Sequence, residues 1–410
     1  MFEFSRDLGM MALNLDIVQT IAFTTVVLII GSFIKSKVGI LNKYCIPAPV
    51  VGGFSFAIIS FILRQTGTLA IVFDTTLQSI LMTAFFTTVG FTASMKVLKQ
   101  GGKKVIKFLI IAVLLVILQN VIGVLSAKLI GVNQLIGLSS GSVSMTGGHG
   151  ASGAWGPVME ANGLEGGLSI AMACATFGLV GGSIVGGPLA RKLIEKYNLK
   201  PQELEKEEVI NKDDEDYGEV AAGMLCENNL TNAAMQIIIA MGLGTIISKL
   251  FTALGVTMPA YIGAMIVAAI MRNISDLKGA WDTPIEELSS VGNICLSLFL
   301  SMAMCSLKLW ELVDLAIPII ILLAIQTILM ILFAYFVTFR AMGKDYTAAV
   351  LAAGHCGFGM GATPNGIANM ESVTGKYGPD PSAFFILPLV GALFIEFFNS
   401  AIIMTFINIL

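Results

Sequence analysis

The chain has 410 residues, of which 56% are hydrophobic and 12% charged, with 24 basic and 27 acidic side chains. A soluble domain carries about 25% charged residues, so a water-soluble globular domain is excluded, and a net charge of −3 leaves no basic field for nucleic acid. The charges bunch into short polar stretches between long apolar runs, the distribution of a protein dissolved in lipid.

Taken in chain order, the N-terminal MFEFSRDLGMMALNLD lacks a small-residue cleavage site, so the first apolar run reads as a retained span rather than a signal peptide. A membrane helix needs about 20 largely apolar residues. The first half offers spans at 17–34, 46–63, 77–95, 105–130 and 167–190. The second half offers 233–252, 258–273, 289–306, 312–338 and 383–408. Two short glycine-rich segments, 135–150 and 347–362, precede the last span of each half. Both read as re-entrant hairpins, because non-helical backbone at membrane depth needs protein or a water-filled cavity around it. The stretch 191–230 is charged and poor in aromatics, a solvated cytoplasmic linker that buries no core. The expected organisation is an N-terminal repeat over 1–190, the linker, and a C-terminal repeat over 231–410.

With the N-terminus outside, all basic residues but Arg6, Arg64, Lys128, Lys249 and Lys308 fall on the cytoplasmic side. That is the asymmetry of a protein with both termini outside.

The halves echo each other at an offset slightly above 200 residues. IPAPVVGG at 46–53 answers MPAYIGAM at 258–265, GSFIKSK at 31–37 answers GTIISKL at 244–250, and Gln119 answers Gln326. GGHGASG at 147–153 aligns with AGHCGFG at 353–359, placing His149 opposite His355, and LVGG at 179–182 aligns with LVGA at 389–392. Five spans per half, an odd number, force the second copy to enter from the opposite face. Inverted repeats with broken helices meeting at the midplane are the architecture of secondary transporters.

GSVSMTGGHGASGAWG (141–156) and GHCGFGMGATPNG (354–366) concentrate Gly, Ser and Thr beside a histidine, and each break has a proline, Pro157 or Pro364. Such segments turn sharply and aim a half-helix N-terminus at negative charge, while exposed carbonyls suit a hard cation such as sodium. No arginine lies in the interior of a span, Arg272 standing at the cytoplasmic end of 258–273, so an anionic solute would rest on backbone donors, hydroxyls and amides. Intramembrane polar groups are functional by default: Glu396 and Asn399 first, then Asn293, Gln119, Asn120 and Gln326, with Thr176 in the span after the first hairpin. Glu396, Asn399, Thr176 and Asn293 are the candidates for cation coupling. With two histidines and six scattered cysteines (Cys45, Cys174, Cys226, Cys295, Cys305, Cys356), neither a metal centre nor a disulfide framework is expected. No cofactor is expected either. GxSxG occurs only as GLSSG at 137–141, inside a glycine-rich membrane segment rather than at a strand-to-helix elbow, and GxxxxGK[ST] is absent, which leaves the hydrolase and P-loop readings without support.

Over nearly its whole length the chain resembles the glutamate:sodium symporter family of bacteria. The resemblance rests on YCIPAPVVGG (44–53), SVSMTGGHGASGAW (142–155), AMACATFGLVGG (171–182), LSLFLSMAM (296–304) with LKLWEL (307–312), and AAVLAAGHCGFGMGATPNGIANM (348–370). It implies sodium-coupled uptake of L-glutamate and a homodimer in the inner membrane, embedded in lipid. The implied site comprises Ser144, Thr146, Gly147, Gly148, His149 and Gly150, with Ser152 adjacent, and Gly354, His355, Cys356, Gly357, Thr363, Pro364 and Asn365. The family pattern has Thr where Ala151 stands here, and another Thr where Asn365 stands. A carrier for another dicarboxylate, or a proton-coupled carrier of the same architecture, is the alternative.

Overall fold

In lipid a polar backbone group must find its partner within the protein, so the apolar runs close their own hydrogen bonds as helices. The structure is a computed structural model that describes residues 2–5, 10–44, 46–201, 227–254, 259–279, 281–312 and 315–410. Cys45, Cys226 and most of the expected linker lie outside the described residues.

Among the described residues nine helices are long and apolar enough to cross a membrane. They are α1 (Ile17–Lys37), α3 (Ala48–Gln65), α6 (Gly102–Ile130), α9 (Gly167–Tyr197), α10 (Glu227–Ala253), α11 (Ala260–Lys278), α12 (Ile285–Cys305) and two composite rods. One rod runs from α13 (Ala316–Phe333) through a π-turn into α14 (Phe339–Met342). The other runs from α17 (Pro381–Pro388) through a π-turn into α18 (Ile395–Ile409). The span expected at 77–95 is α4 (Thr76–Thr92), whose 17 residues leave it just short of the other nine. Short helices α2 (Gly39–Lys43) and α5 (Met95–Gln100) serve as connectors.

The fold is not purely helical. Strands β1 (Phe2–Ser5), β2 (Met10–Leu15) and β3 (Ala70–Phe73) form a small sheet, with β1 antiparallel to β2 and β2 parallel to β3. These strands are too short to stand out against apolar spans, and their pairing joins residues nearly 60 positions apart, which sequence periodicity does not reveal.

The glycine-rich segments are longer than 135–150 and 347–362. Each of those ranges covers little more than the first arm of a helical hairpin. In the first hairpin α7 (Gln134–Leu138) continues through a π-turn at Ser139–Val143, the chain turns at 144–147, and α8 (Gly148–Ala161) returns. The arms are antiparallel: Asn133 Nδ2 reaches Gly163 O at 3.4 Å and Ser139 Oγ reaches Met159 Sδ at 3.2 Å. In the second, α15 (Tyr346–Met360) turns at 361–362 into α16 (Thr363–Tyr377). Here the Tyr346 hydroxyl donates to Gly378 O, Asn369 Nδ2 donates to Ala353 O at 3.2 Å, and Gly357 backs directly onto Gly366. One consequence corrects the alignment of GGHG with AGHC. His149 lies just past its turn on the second arm, whereas His355 precedes its turn on the first arm. The two histidines are not structurally equivalent.

Two bundles result. Helices α1, α3, α4, α10, α11 and α12 pack on one another, while α6, α9, α13, α18 and both hairpins form the second group. The echoed motifs explain part of the first bundle. A side chain at Gly31 would strike Ala48 O and Gly52, locking α1 against α3, and one at Gly244 would strike Gly263 and Ala264, locking α10 against α11 in the same way. Small residues allow such close backbone approach between membrane helices. The bundles meet where α4, α11 and α12 face α8 and α18.

Candidate functional site

The two hairpin turns meet. A Cβ at Gly148 would lie 2.8 Å from Gly361 O, and Gly148 itself has φ +57°, a conformation open to glycine and costly for other residues. This is why the first turn is glycine-rich: the backbone reverses and touches its counterpart with no room for a side chain. The second turn uses different chemistry. Ala362 is extended (φ −158°, ψ 161°) and Pro364 lies in the first turn of α16, where its missing N–H leaves no unmet donor.

A cavity of about 270 Å³ opens at this junction, at the small end of the roughly 300–1,000 Å³ range of small-molecule sites. The second bundle contributes both turns, from Thr146 to Ala151 and from Gly361 to Pro364, together with Leu179 of α9 and Glu396 of α18. The first bundle supplies the opposite wall: Pro47, Pro49, Phe85, Leu296, Ser297 and Leu300. The site is therefore shared between the bundles. Among the described residues no lysine or arginine lines it, and its titratable groups are His149 and Glu396.

Two helix N-termini face this space. The N-cap of α8 is Gly147 and that of α16 is Ala362, neither with a side-chain cap. The first amides of a helix lack intrahelical acceptors and carry the positive end of the dipole, so Gly148, His149, Gly150 and Thr363 present N–H donors suited to carboxylates. The site achieves positive potential without a fixed cation.

Polar groups around the turns hold them together. Gln119 Nε2 donates to Gly359 O at 2.7 Å, while its Oε1 accepts from the Thr146 hydroxyl at 2.8 Å. Gln326 Nε2 donates to Gln119 O at 2.7 Å, so the matched glutamines touch. Asn120 Oδ1 accepts from Ser142 N, and Asn399 Nδ2 donates to Ser142 O at 3.2 Å. His149 Nε2 lies 3.0 Å from Thr176 Oγ1, whose own proton goes to Met172 O. A hydrogen on the imidazole Nε2 would satisfy both contacts at once.

The structure divides the sequence-predicted residues. Thr146, Gly147, Gly148, His149, Gly150, Thr363, Pro364 and Glu396 line the cavity, with Thr176 and Asn399 one contact behind. Ser144 donates inward to Ser139 O, and Ser152 is buried within its hairpin. Gly354 and Gly357 are contact points between α15 and α16, and Cys356 is buried in that packing. His355 is fully buried, with Nδ1 2.8 Å from Thr338 Oγ1 and its ring stacked on Phe358 at 4.8 Å. Asn365 Nδ2 turns to Leu179 O and Ser183 Oγ rather than to the cavity. Asn293 is exposed on α12, away from the site. Sequence reasoning missed the wall from α3, α4 and α12. Its one trace was the strings IPAPVVGG and LSLFLSMAM, distinctive but without an evident role.

Among the described residues no cluster of three or more His, Cys, Asp or Glu could hold a metal ion. Oxygen atoms near the turns are nonetheless in reserve: Glu396 Oε2 and Asn399 Oδ1 are buried without a hydrogen-bond partner, the hard donors a sodium ion prefers.

Comparison with known proteins agrees with this chemistry. The family described as sodium/glutamate symporter matches residues 13–379. A sodium/glutamate symporter of Escherichia coli (strain K12) is 40% identical over 393 residues, covering 95% of this chain and 97% of that protein. One of Haemophilus influenzae is 40% identical over 386 residues, covering 94% and 95%. The solved structure of the sodium proton antiporter MjNhaP1 from Methanocaldococcus jannaschii covers 95% of this chain and 96% of its own, at 14% identity and a TM-score of 0.44, too distant to carry an argument. With nine membrane-length helices among the described residues, two joined hairpins and family similarity over almost the whole sequence, this multi-pass chain belongs to the sodium/glutamate symporter family.

Proposed function

We propose that the chain is a secondary carrier that imports glutamate together with sodium by alternating access. The carrying observation is the pair of uncapped helix N-termini, α8 and α16, facing one small cavity that, among the described residues, no lysine or arginine lines. A dicarboxylate amino acid fits such a place: each helix end takes one carboxylate, and a bound cation offsets the remaining charge. Gly148, His149, Gly150 and Thr363 are the substrate donors in this reading, with Ser297 facing them from the other bundle. Glu396 and Asn399 supply sodium with oxygen ligands alongside carbonyls at the turns. The names of the relatives support glutamate and sodium as the transported pair.

The order of elements supports two repeats, 1–190 and 231–410. Four spans, a hairpin and a fifth span occur in that order twice, from α1 to α9 and from α10 to α18. In this reading the repeats are inverted and the hairpins enter the bilayer from opposite faces. Both termini lie outside the inner membrane, and two copies form a dimer. Loading both glutamate and sodium neutralises the cavity, so the loaded carrier switches faces and the half-loaded one stays. Uptake of radiolabelled glutamate into proteoliposomes tests this. Saturable accumulation that requires an inward sodium gradient is expected; uptake driven by a pH gradient in sodium-free buffer would replace sodium with protons.

A further inference from the structure

A second cavity, of about 690 Å³, lies between α9 and the α13–α14 rod and shares no lining residue with the first. Its walls are Ile184, Pro188, Ile331, Leu332 and Phe336, mostly exposed apolar side chains. Its mouth is cationic: Lys192, Lys196 and Arg340 line it, and among the described residues no carboxylate does. Lys192 and Lys196 sit one turn apart on α9, where like charges repel, and Arg340 joins them from the facing helix. Among the described residues these three cations make no ion pair, and Arg191 at the same helix end pairs instead with Glu195 at 2.8 Å. Lys196 Nζ donates to the Tyr335 hydroxyl at 2.8 Å, which anchors one cation at the rim. The π-turn at Ala334–Thr338 widens the rod there, letting Thr338 face inward to His355 while Tyr335 and Phe336 line the groove.

We propose that this groove is a binding site for one anionic phospholipid, with an acyl chain along Ile184, Ile331, Leu332 and Phe336 and the phosphate held by Lys192, Lys196 and Arg340. Charge complementarity selects this occupant. A zwitterionic lipid brings its own cation to a mouth that already holds three, and a soluble anion would leave the apolar walls unused. Basic pockets between membrane helices recognise anionic headgroups through these terms. The site lies on the bundle that carries both hairpins.

The test is native mass spectrometry of the purified full-length protein in detergent, with phosphatidylglycerol or phosphatidylcholine of the same acyl chains, and glycerol 3-phosphate as the soluble arm. Each cation near a lipid surface contributes roughly five-fold in affinity. Wild type should therefore retain one phosphatidylglycerol in preference to phosphatidylcholine. Triple substitution Lys192→Gln, Lys196→Gln, Arg340→Gln should lower that retention by about 100-fold, and Phe336→Ala should lower it with the charges intact. Lys103→Gln with Lys104→Gln, an exposed basic pair elsewhere, should leave retention unchanged. Equal retention of the two lipids, equal loss in the Lys103/Lys104 control, or glycerol 3-phosphate binding as tightly as the lipid would each overturn the proposal. Should the triple variant fail to fold, Lys192→Gln alone, at an exposed position, gives the same reading on a smaller scale. The measurement involves no transport, so its outcome is separate from that of glutamate uptake.

Discussion

Gln119 Nε2 lies 2.7 Å from Gly359 O, a hydrogen bond between residues 240 positions apart that ties α6 to the end of α15, just before the second hairpin turn. Because the same carboxamide accepts from Thr146 of the first turn, one fully buried side chain sets the spacing of both. Leaving such partners buried and unmet costs about 1–3 kcal/mol each. Gln119→Ala is expected to reduce glutamate uptake about 10-fold or more at normal membrane expression. Uptake kinetics in proteoliposomes at matched protein amounts check this.

Gly148→Ala meets two obstacles, a φ of +57° and the neighbouring Gly361 carbonyl. A left-handed backbone costs an alanine roughly 1–2 kcal/mol, before the turns are pushed apart. Uptake should fall at least about 10-fold. Gly187→Ala, on α9 with open space around it, should transport like the wild type.

The two histidines should behave differently. Thr338→Val strands the fully buried His355 Nδ1, so thermal stability in detergent should drop by the equivalent of about 1–3 kcal/mol with KM for glutamate unchanged. Thr176→Val frees His149, which lines the cavity, and should raise KM several-fold with little change in stability.

Glu396→Gln keeps the shape of the side chain and removes its charge. If the carboxylate draws sodium to the cavity, half-saturating sodium should rise by roughly 10-fold, with less change in the KM for glutamate at saturating sodium. A sodium titration of initial uptake rates measures this directly.

Much of this was legible in the sequence, for identifiable reasons. Lipid forces long apolar runs, so the membrane helices announced themselves, and glycine with Ser and Thr at 141–156 and 354–366 marked where the backbone breaks. The return arm α16 was hidden because Glu371 and Lys376 make it too polar to resemble a membrane element; it is held by α15 and α9 rather than by lipid. His355 was misplaced because local identity, GGHG against AGHC, overrode the position of the turn. Phe85 and Ser297 were out of reach because only the meeting of the bundles brings them to the hairpins.

The central claim is that the turns beginning α8 and α16 hold glutamate in one cavity when sodium is present. Its most direct test replaces Thr363 with cysteine and measures the rate of labelling by a small thiol reagent in proteoliposomes, using the unsubstituted protein, whose described cysteines are buried, as background. Labelling that slows about 10-fold with glutamate and sodium together, and with neither alone, is the predicted result. Equal labelling under all four conditions would contradict the account.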